Sequence, residues 1–156
     1  MGSPSKLLQQ WQKLAPKVGG RWLFSRLLGR MARYSGSISP HVLELEAGRA
    51  VVTMYDRPAV RNHLHSVHAI ALMNLGEIAT GLAVLASLGD NRRGIVTNLA
   101  MEYTKKARGT MTATCVFEQP PADFEGPFNV RAELCDEAGD IVAIAMAEWT
   151  IGFLPK

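Results

Sequence analysis

The sequence predicts an α+β domain in which a curved antiparallel sheet wraps one long apolar helix. The main observation is the run of residues 62–88, which is apolar on every side from Ala69 onwards, as in a helix that is buried all round. Segments of alternating apolar and polar residues precede and follow this run, which is typical of strands with one buried face. Because such a helix must be covered, we expect a strongly curved sheet to wrap part of it.

The length and charge of the chain limit the classes of protein that it can be. A chain of 156 residues has room for one domain with a single core. The first 43 residues hold seven of the 17 Lys and Arg residues and none of the 14 Asp and Glu residues, so the rest of the chain is mildly acidic. This main part has no basic patch interleaved with aromatic residues, and we therefore expect no nucleic-acid partner.

Cysteine usage and hydropathy indicate a soluble, cytoplasmic protein. Cys115 and Cys135 are too few for a disulfide framework and lack metal-ligand spacing, so we expect reduced thiols that fill small spaces in the core. No signal peptide is visible in the sequence. The longest apolar run, residues 78–88, is interrupted by Thr80 and Gly81 and is too short to span a bilayer.

The chain divides into an N-terminal helical arm, residues 1–37, and a main domain, residues 38–156. The arm contains two predicted amphipathic helices, separated by Pro16 and by Gly19–Gly20. The predicted apolar faces are Leu7, Leu8, Trp11 and Leu14 in the first helix and Trp22, Leu23, Leu27 and Met31 in the second. Two interpretations stay open: the arm packs on the main domain, or it is a basic amphipathic segment that touches an anionic membrane.

The main domain begins with a predicted β-hairpin and ends with predicted strands. Residues 41–56 alternate apolar and polar side chains around a turn at Gly48. After the helix, three or four long strands are predicted within residues 95–154, with tight turns at Arg108–Gly109 and Glu137–Asp140.

Four residues in and before the long helix carry a resemblance to a known family. Five residues separate Asn62 from His68, Glu77 follows nine residues after that histidine, and Gly81 follows four residues later. In this order of elements, the pattern resembles the phenylacetyl-CoA thioesterase-like branch of the hotdog-fold thioesterase superfamily and the uncharacterised families near it. The resemblance implies a hotdog fold over roughly residues 40–154, with acyl-CoA as the substrate.

The residues after His68 depart from the family pattern. The family has two glycines where this chain has Ala69 and Ile70. Glycine allows the backbone to approach a ligand closely, and the Ile70 side chain narrows that approach.

The start of the long helix is the predicted site for the substrate carbonyl. The first turn of a helix offers unpaired N–H groups and the positive end of the helix dipole, which suit a developing oxyanion. If the helix begins near Ser66, with Ser66 as its N-cap, the N–H groups in that turn are those of His68, Ala69 and Ile70.

Glu77 is the predicted catalytic acid, and its position requires a second subunit. It lies about 13.5 Å along the helix axis from His68, too far for both to act on one carbonyl within one chain. The resemblance implies a homodimer, or a dimer of dimers, in which two such helices run antiparallel. We therefore expect a dimer-interface site, with Glu77 as general base or nucleophile and Asn62 positioning the water or the thioester.

Each of these residues also has a purely structural interpretation. Glu77 could be a buried acid that a backbone or hydroxyl donor satisfies, and His68 could be a helix cap. His63 and His65 have no Cys or acid pair nearby, so no metal is expected. We expect no cofactor other than the coenzyme A of the substrate.

Basic residues at the ends of the predicted elements are candidates for binding the phosphates of coenzyme A. These candidates are Arg92, Arg93, Lys105, Lys106 and Arg108.

Three activities compete for this fold. The first is an acyl-CoA thioesterase. The second is a non-catalytic protein that binds acyl chains or acyl-CoA, which the Ala69 and Ile70 changes favour. The third, ranked lowest, is a hydroxyacyl dehydratase: His63 and Glu77 have the required separation of fourteen residues, but the Pro and Gly residues expected between them are missing.

Overall fold

The computed structural model describes residues 3–155 as four α-helices and a six-stranded antiparallel sheet. The helices are α1 (Lys6–Leu14), α2 (Gly20–Met31), α3 (Arg33–Gly36) and the central helix α4 (Ala69–Ser87). The strands are β1 (His41–Glu46), β2 (Arg49–Met54), β3 (Arg92–Tyr103), β4 (Met111–Val116), β5 (Gly126–Cys135) and β6 (Ile141–Phe153). The predicted hairpin and four long C-terminal strands are therefore present.

The sheet wraps the central helix. Its strand order is β1-β2-β4-β5-β6-β3, and α4 contacts all six strands. Six strands spaced about 4.8 Å apart form a surface much wider than a helix of about 10 Å diameter. A flat sheet of that width could not reach α4 with every strand, so the sheet must curve around it. The predicted α+β hotdog fold, with its N-terminal helices, is confirmed.

The apolar stretch of the central helix is longer than the run of residues 78–88 on which the sequence analysis based its membrane prediction. Its 19 residues make it long and apolar enough to cross a membrane by length and composition alone, so the prediction that the run is too short was wrong. However, 72% of its most apolar window is buried inside the protein. Its apolar surface is covered by the sheet and the arm, which gives it the role of a core helix.

The arm packs on the main domain. The Ser5 hydroxyl caps α1 by accepting a hydrogen bond from the N–H of Leu8, and Trp11 packs edge-to-face on Phe24 with ring centres 5.1 Å apart. The Ser25 hydroxyl accepts a 2.9 Å hydrogen bond from the N–H of Val42 in β1. The boundary between residues 37 and 38 stays a prediction, since Trp11 and Phe24 belong to the same hydrophobic core as the central helix.

The buried face of α2 is not the predicted one. Phe24 and Ser25 are buried, whereas the predicted face is exposed to solvent. That exposed face consists of Trp22, Leu23, Leu27 and Met31. Both sides of α2 carry apolar side chains, so periodicity alone could not indicate which side the rest of the chain covers.

Close packing of α4 on the sheet depends on a glycine. A Cβ atom added at Gly76 would lie 2.6 Å from the Cβ of Ala145 in β6. We expect Gly76→Ala to lower the free energy of unfolding by about 1–3 kcal/mol through overpacking, even though alanine favours helix by about 1 kcal/mol. At Gly94 an added Cβ would find its nearest atom at 3.4 Å, so Gly94→Ala is the matched control. Urea denaturation measures both variants, and equal losses would contradict this packing argument.

Candidate active site

Glu77 lies on α4 beside a small cavity between the central helix and the arm. The cavity has a volume of about 130 Å³, and Glu77 is half-buried at its wall. The arm contributes Leu28, Ala32 and Ser35, and β6 contributes Trp149. The fold thus brings Glu77 together with residues of the arm and of β6, which are distant in the sequence, around one cavity.

Burial raises the pKa of the Glu77 carboxyl above its ordinary value of 4.5. Within residues 3–155, no donor hydrogen-bonds to this carboxylate and no cation pairs with it, so desolvation is the only cause of the shift. This differs from the structural interpretation of Glu77, in which a backbone or hydroxyl group satisfies the acid. An acid with a raised pKa and no partner beside a cavity is a candidate for proton transfer.

Gly81 and Trp149 shape the wall of this cavity. A Cβ atom at Gly81 would lie 2.9 Å from the Cη2 atom of Trp149, so the glycine makes room for the indole ring beside Glu77. The Trp149 Nε1–H donates a long hydrogen bond of 3.4 Å to the Thr80 hydroxyl. The predicted glycine therefore has a packing role. Trp149 was missed because the sequence does not indicate that β6 reaches this face of the helix.

The arm is attached to α4 one helical turn before Glu77. The buried side chain of Asn74 donates a 3.2 Å hydrogen bond from Nδ2 to the carbonyl of Tyr34 in α3. This bond holds the segment that includes Ser35 over the cavity. The sequence analysis missed Asn74, although an amide side chain in an otherwise apolar helix was a visible signal.

Asn62 organises the loop that precedes the central helix. Its side-chain Oδ1 accepts hydrogen bonds from the N–H groups of Leu64 (2.9 Å) and Ser66 (3.2 Å). The Asn62 N–H also donates to the Ser66 carbonyl. Among the described residues, the side-chain Nδ2 has no hydrogen-bond partner, which leaves it free to donate. Its predicted role toward water or the thioester stays a prediction.

The first turn of α4 is capped by His68, and the expected cap at Ser66 was wrong. The His68 Nδ1 accepts a 3.0 Å hydrogen bond from the N–H of Ile70, and the His68 N–H donates to the carbonyl of Val60. Two of the three predicted oxyanion donors are therefore engaged. In the part of the chain that the structure describes, the Ala69 N–H has no partner, and it remains the available donor of the three.

The helix start and the acid do not meet within one chain. The helix is continuous between Ala69 and Glu77, so these residues lie about 12 Å apart along its axis. The exposed His63 and His65 lie in the loop before the helix. In residues 3–155 no group of three or more His, Cys, Asp or Glu side chains is placed to hold a metal ion.

The predicted phosphate-binding residues form two clusters at opposite ends of β3, roughly 40 Å apart for a 12-residue strand. Lys105 lies 2.7 Å from both Asp136 and Asp140, which raise its pKa and neutralise its charge. Arg92 donates to the carbonyls of Ala122 and Phe124 and packs over the Phe153 ring.

Lys105 and Arg92 are thus held by other parts of the chain, and their predicted role towards the phosphates of coenzyme A stays a prediction. Three of the predicted basic residues are exposed and form no ion pair within residues 3–155. These are Arg93, Lys106 and Arg108.

The fold is similar to that of solved structures, some of which are named as thioesterases. The genomics protein APC5556 is 31% identical, with 96% of this chain and 97% of that chain covered and a TM-score of 0.82. A Pseudomonas aeruginosa protein of unknown function named as a probable thioesterase, PA5026, is 21% identical over 80% of this chain and 88% of that one, with a TM-score of 0.69. The Haemophilus influenzae thioesterase HI1161 is 10% identical over 83% and 90%, with a TM-score of 0.70.

These likenesses confirm the resemblance to the hotdog-fold thioesterase superfamily at the level of the fold. No curated protein matches the sequence. The family model described as "Domain of unknown function (DUF4442)" matches residues 20–151, which include helices α2 and α3 of the arm and nearly all of the main domain. The chain therefore belongs to the DUF4442 family.

Proposed function

We propose that this protein is an acyl-CoA thioesterase whose active site is shared between two copies of the chain. The observation that carries the proposal is the Glu77 carboxyl, which lies unpaired within residues 3–155 beside a cavity and has its pKa raised by burial. Two structural neighbours are named as a thioesterase and a probable thioesterase, which supports the same reaction class.

The reaction requires a base and an oxyanion donor. The Glu77 carboxylate removes a proton from water, and the water oxygen attacks the thioester carbonyl carbon. The negative charge that develops on the carbonyl oxygen is stabilised by a backbone N–H at the start of α4, where Ala69 offers its own. The C–S bond then breaks, the coenzyme A thiolate leaves and takes up the proton, and a carboxylic acid remains. Direct attack by Glu77, followed by hydrolysis of the anhydride, gives the same products.

The open edge of β3 supports a dimer. Within the described residues, β3 pairs only with β6, so one edge of a 12-residue strand has unpaired backbone groups. Proteins rarely leave so long an edge uncovered. Tyr103 at the end of β3 donates a 2.8 Å hydrogen bond to the Ala69 carbonyl, which holds the helix start beside that edge.

Antiparallel pairing of two β3 edges would bring the two half-sites together. The added-atom contacts of Gly76 with Met101 and of Gly94 with Val84 indicate that α4 lies along β3 in the opposite direction. Two antiparallel copies would therefore bring Glu77 of one chain towards the helix start of the other. The same pairing would bring Arg93 of one chain towards Lys106 and Arg108 of the other, where they could contact the phosphates of coenzyme A.

A non-catalytic acyl-CoA-binding protein is the second candidate. The observation that favours it lies in the first helical turn, where the Ile70 N–H already donates a hydrogen bond to the His68 side chain and is not available to a substrate. The Ile70 side chain is also exposed in the position that the family gives to glycine. A weak oxyanion site could bind a thioester without hydrolysing it.

Release of free thiol from a panel of acyl-CoAs, from acetyl to palmitoyl, separates the two candidates. The thioesterase predicts thiol release from at least one member of the panel. If no thioester is cleaved but an acyl-CoA raises the thermal midpoint of the protein, the binding function is correct. Hydration of an enoyl-CoA that depends on His63 would instead indicate the dehydratase.

The arm is expected to influence acyl preference, because Leu28 and Ala32 form part of the cavity wall. Leu28→Ala should widen the cavity. The ratio of kcat/KM for long acyl chains to kcat/KM for short ones should then rise by up to about tenfold. Ala32→Leu should shift the same ratio in the opposite direction. The acyl-CoA panel measures both changes. An unchanged ratio in both variants would contradict a role for the arm in substrate choice.

A further inference from the structure

The outward side of α2 carries large apolar side chains that are exposed to solvent. We call these four residues, Trp22, Leu23, Leu27 and Met31, the α2 apolar stripe. Their exposed fractions are 60% for Trp22, 41% each for Leu23 and Leu27, and 79% for Met31. Leu23, Leu27 and Met31 follow at four-residue spacing, so they align along one side of the helix. Such a contiguous exposed patch indicates an interaction surface.

Cations flank the row of Leu23, Leu27 and Met31 within the α2 apolar stripe. Lys13 and Lys17 line the groove between α1 and α2, which has a volume of about 620 Å³ and also contains Leu27 and Met31. Arg26 and Arg30 of α2 lie between this row and Trp22, as four-residue spacing from Trp22 requires. Arg30 also lines the groove, and the Arg26 guanidinium stands 5.7 Å from the centre of the Trp22 ring.

No acid balances these cations. The first 43 residues contain no Asp or Glu, and none of the four flanking cations forms an ion pair with any residue in 3–155. Long basic side chains can lay their methylene stems along an apolar surface while their charged ends reach phosphate groups. A surface on which apolar side chains lie beside cations therefore matches the boundary between acyl chains and anionic headgroups.

A second copy of this chain is a poorer match for the same surface. In a symmetric dimer the same patch faces itself, which would bring Lys13, Lys17, Arg26 and Arg30 against their own copies. Like charges placed together across an interface are unfavourable. An anionic lipid surface offers the opposite charge along the whole patch.

We infer that the α2 apolar stripe and its flanking cations bind the protein peripherally to anionic membranes. The inference goes beyond the proposed hydrolysis and does not depend on it. The stripe inserts at the level of the headgroups while the cations contact lipid phosphates. Since Leu28 and Ala32 of the same segment line the Glu77 cavity, a membrane-bound arm would lie between the lipid and that cavity.

Co-sedimentation of the full chain with lipid vesicles tests this inference. The vesicles contain phosphatidylcholine alone or phosphatidylcholine mixed with phosphatidylglycerol, each at low and at high salt. We expect binding to the mixed vesicles that weakens at high salt through screening. Arg26→Gln and Arg30→Gln should each weaken binding about fivefold. Trp22→Gln and Leu27→Gln should each weaken it about tenfold through lost apolar burial.

Matched controls come from exposed residues on the sheet. Val116→Gln removes an equally exposed apolar side chain, and Arg131→Gln removes an exposed cation, and neither should change vesicle binding. Thermal midpoints should be unchanged in every variant, since all the altered side chains are exposed. Three results would overturn the inference: no binding to mixed vesicles at low salt, equal losses in the controls, or a changed oligomeric mass of Trp22→Gln by light scattering. The last result would identify the stripe as an interface between copies.

Discussion

Glu77→Gln is expected to lower kcat/KM for the best acyl-CoA substrate by about 10²–10⁴-fold, the range for a lost general base. Glutamine keeps the size of the side chain but can no longer take a proton from water. Steady-state thiol release measures the effect. Glu118→Gln, which alters an exposed acid, is the control and should retain full activity. Retained hydrolysis in Glu77→Gln would remove Glu77 from the reaction.

The same variant has an expected effect on stability. Because burial raises the pKa of Glu77 above 4.5 in the folded protein, the folded state holds this proton more tightly than the unfolded state. Stability from this group is therefore complete below pH 4.5 and is lost as pH rises through the raised pKa. Glu77→Gln removes that loss. The variant should therefore be more stable than the wild type at pH values above the raised pKa of Glu77, and not at pH values below 4.5. Urea denaturation at one pH of each kind measures the difference.

The activity of the wild type should rise with pH, whereas the stability that Glu77 contributes should fall. A general base works only when ionised, so kcat/KM should rise through the raised pKa of Glu77 and then level off. If kcat/KM instead rose with a midpoint at or below pH 4.5, the result would contradict Glu77 as a general base whose pKa is raised by burial.

Two inactive variants are expected to restore activity when they are combined in one dimer. Asn62→Asp keeps the Oδ1 that accepts from Leu64 and Ser66 but removes the Nδ2 donor, so the loop should keep its fold. In a heterodimer of Glu77→Gln with Asn62→Asp, one of the two shared sites has both native residues. Isolated through two different affinity tags, this heterodimer should show about half of the wild-type activity.

The control reverses the arrangement. A chain that carries both Glu77→Gln and Asn62→Asp is paired with a wild-type chain. If sites are shared, neither site in this heterodimer is intact, and it should be inactive. If each site lies within one chain, this second heterodimer should keep half of the activity while the first has none. The pair of measurements therefore distinguishes the two arrangements without relying on the activity of any single variant.

Local patterns in the sequence were sufficient for most of the fold. The all-round apolar character of α4 and the alternation in the strands depend on residues close together in the chain, and both were predicted. The acid of the site was also visible, since a lone carboxyl is conspicuous in a run as apolar as that around Glu77.

Features that depend on distant segments were missed or predicted incorrectly. Periodicity could not show that Phe24, rather than the exposed stripe, faces the core, because α1 and β1 decide which side of α2 is covered. The ion pairs of Lys105 with two acids of the β5–β6 turn were missed for the same reason, because that turn is distant from Lys105 in the sequence. The cap at His68 was predicted only as an alternative to a cap at Ser66, and the structure has the imidazole, whose unprotonated nitrogen accepts the hydrogen bond, in this role.

The buried thiol of Cys115 has a consequence for redox chemistry. Burial raises its pKa to about 12, and the pKa of the half-buried Cys135 is raised as well. Near pH 8, only about one Cys115 side chain in 10⁴ would be a thiolate, the form that reacts with electrophiles and oxidants. A protonated and covered Cys115 is therefore a poor nucleophile towards disulfides as well.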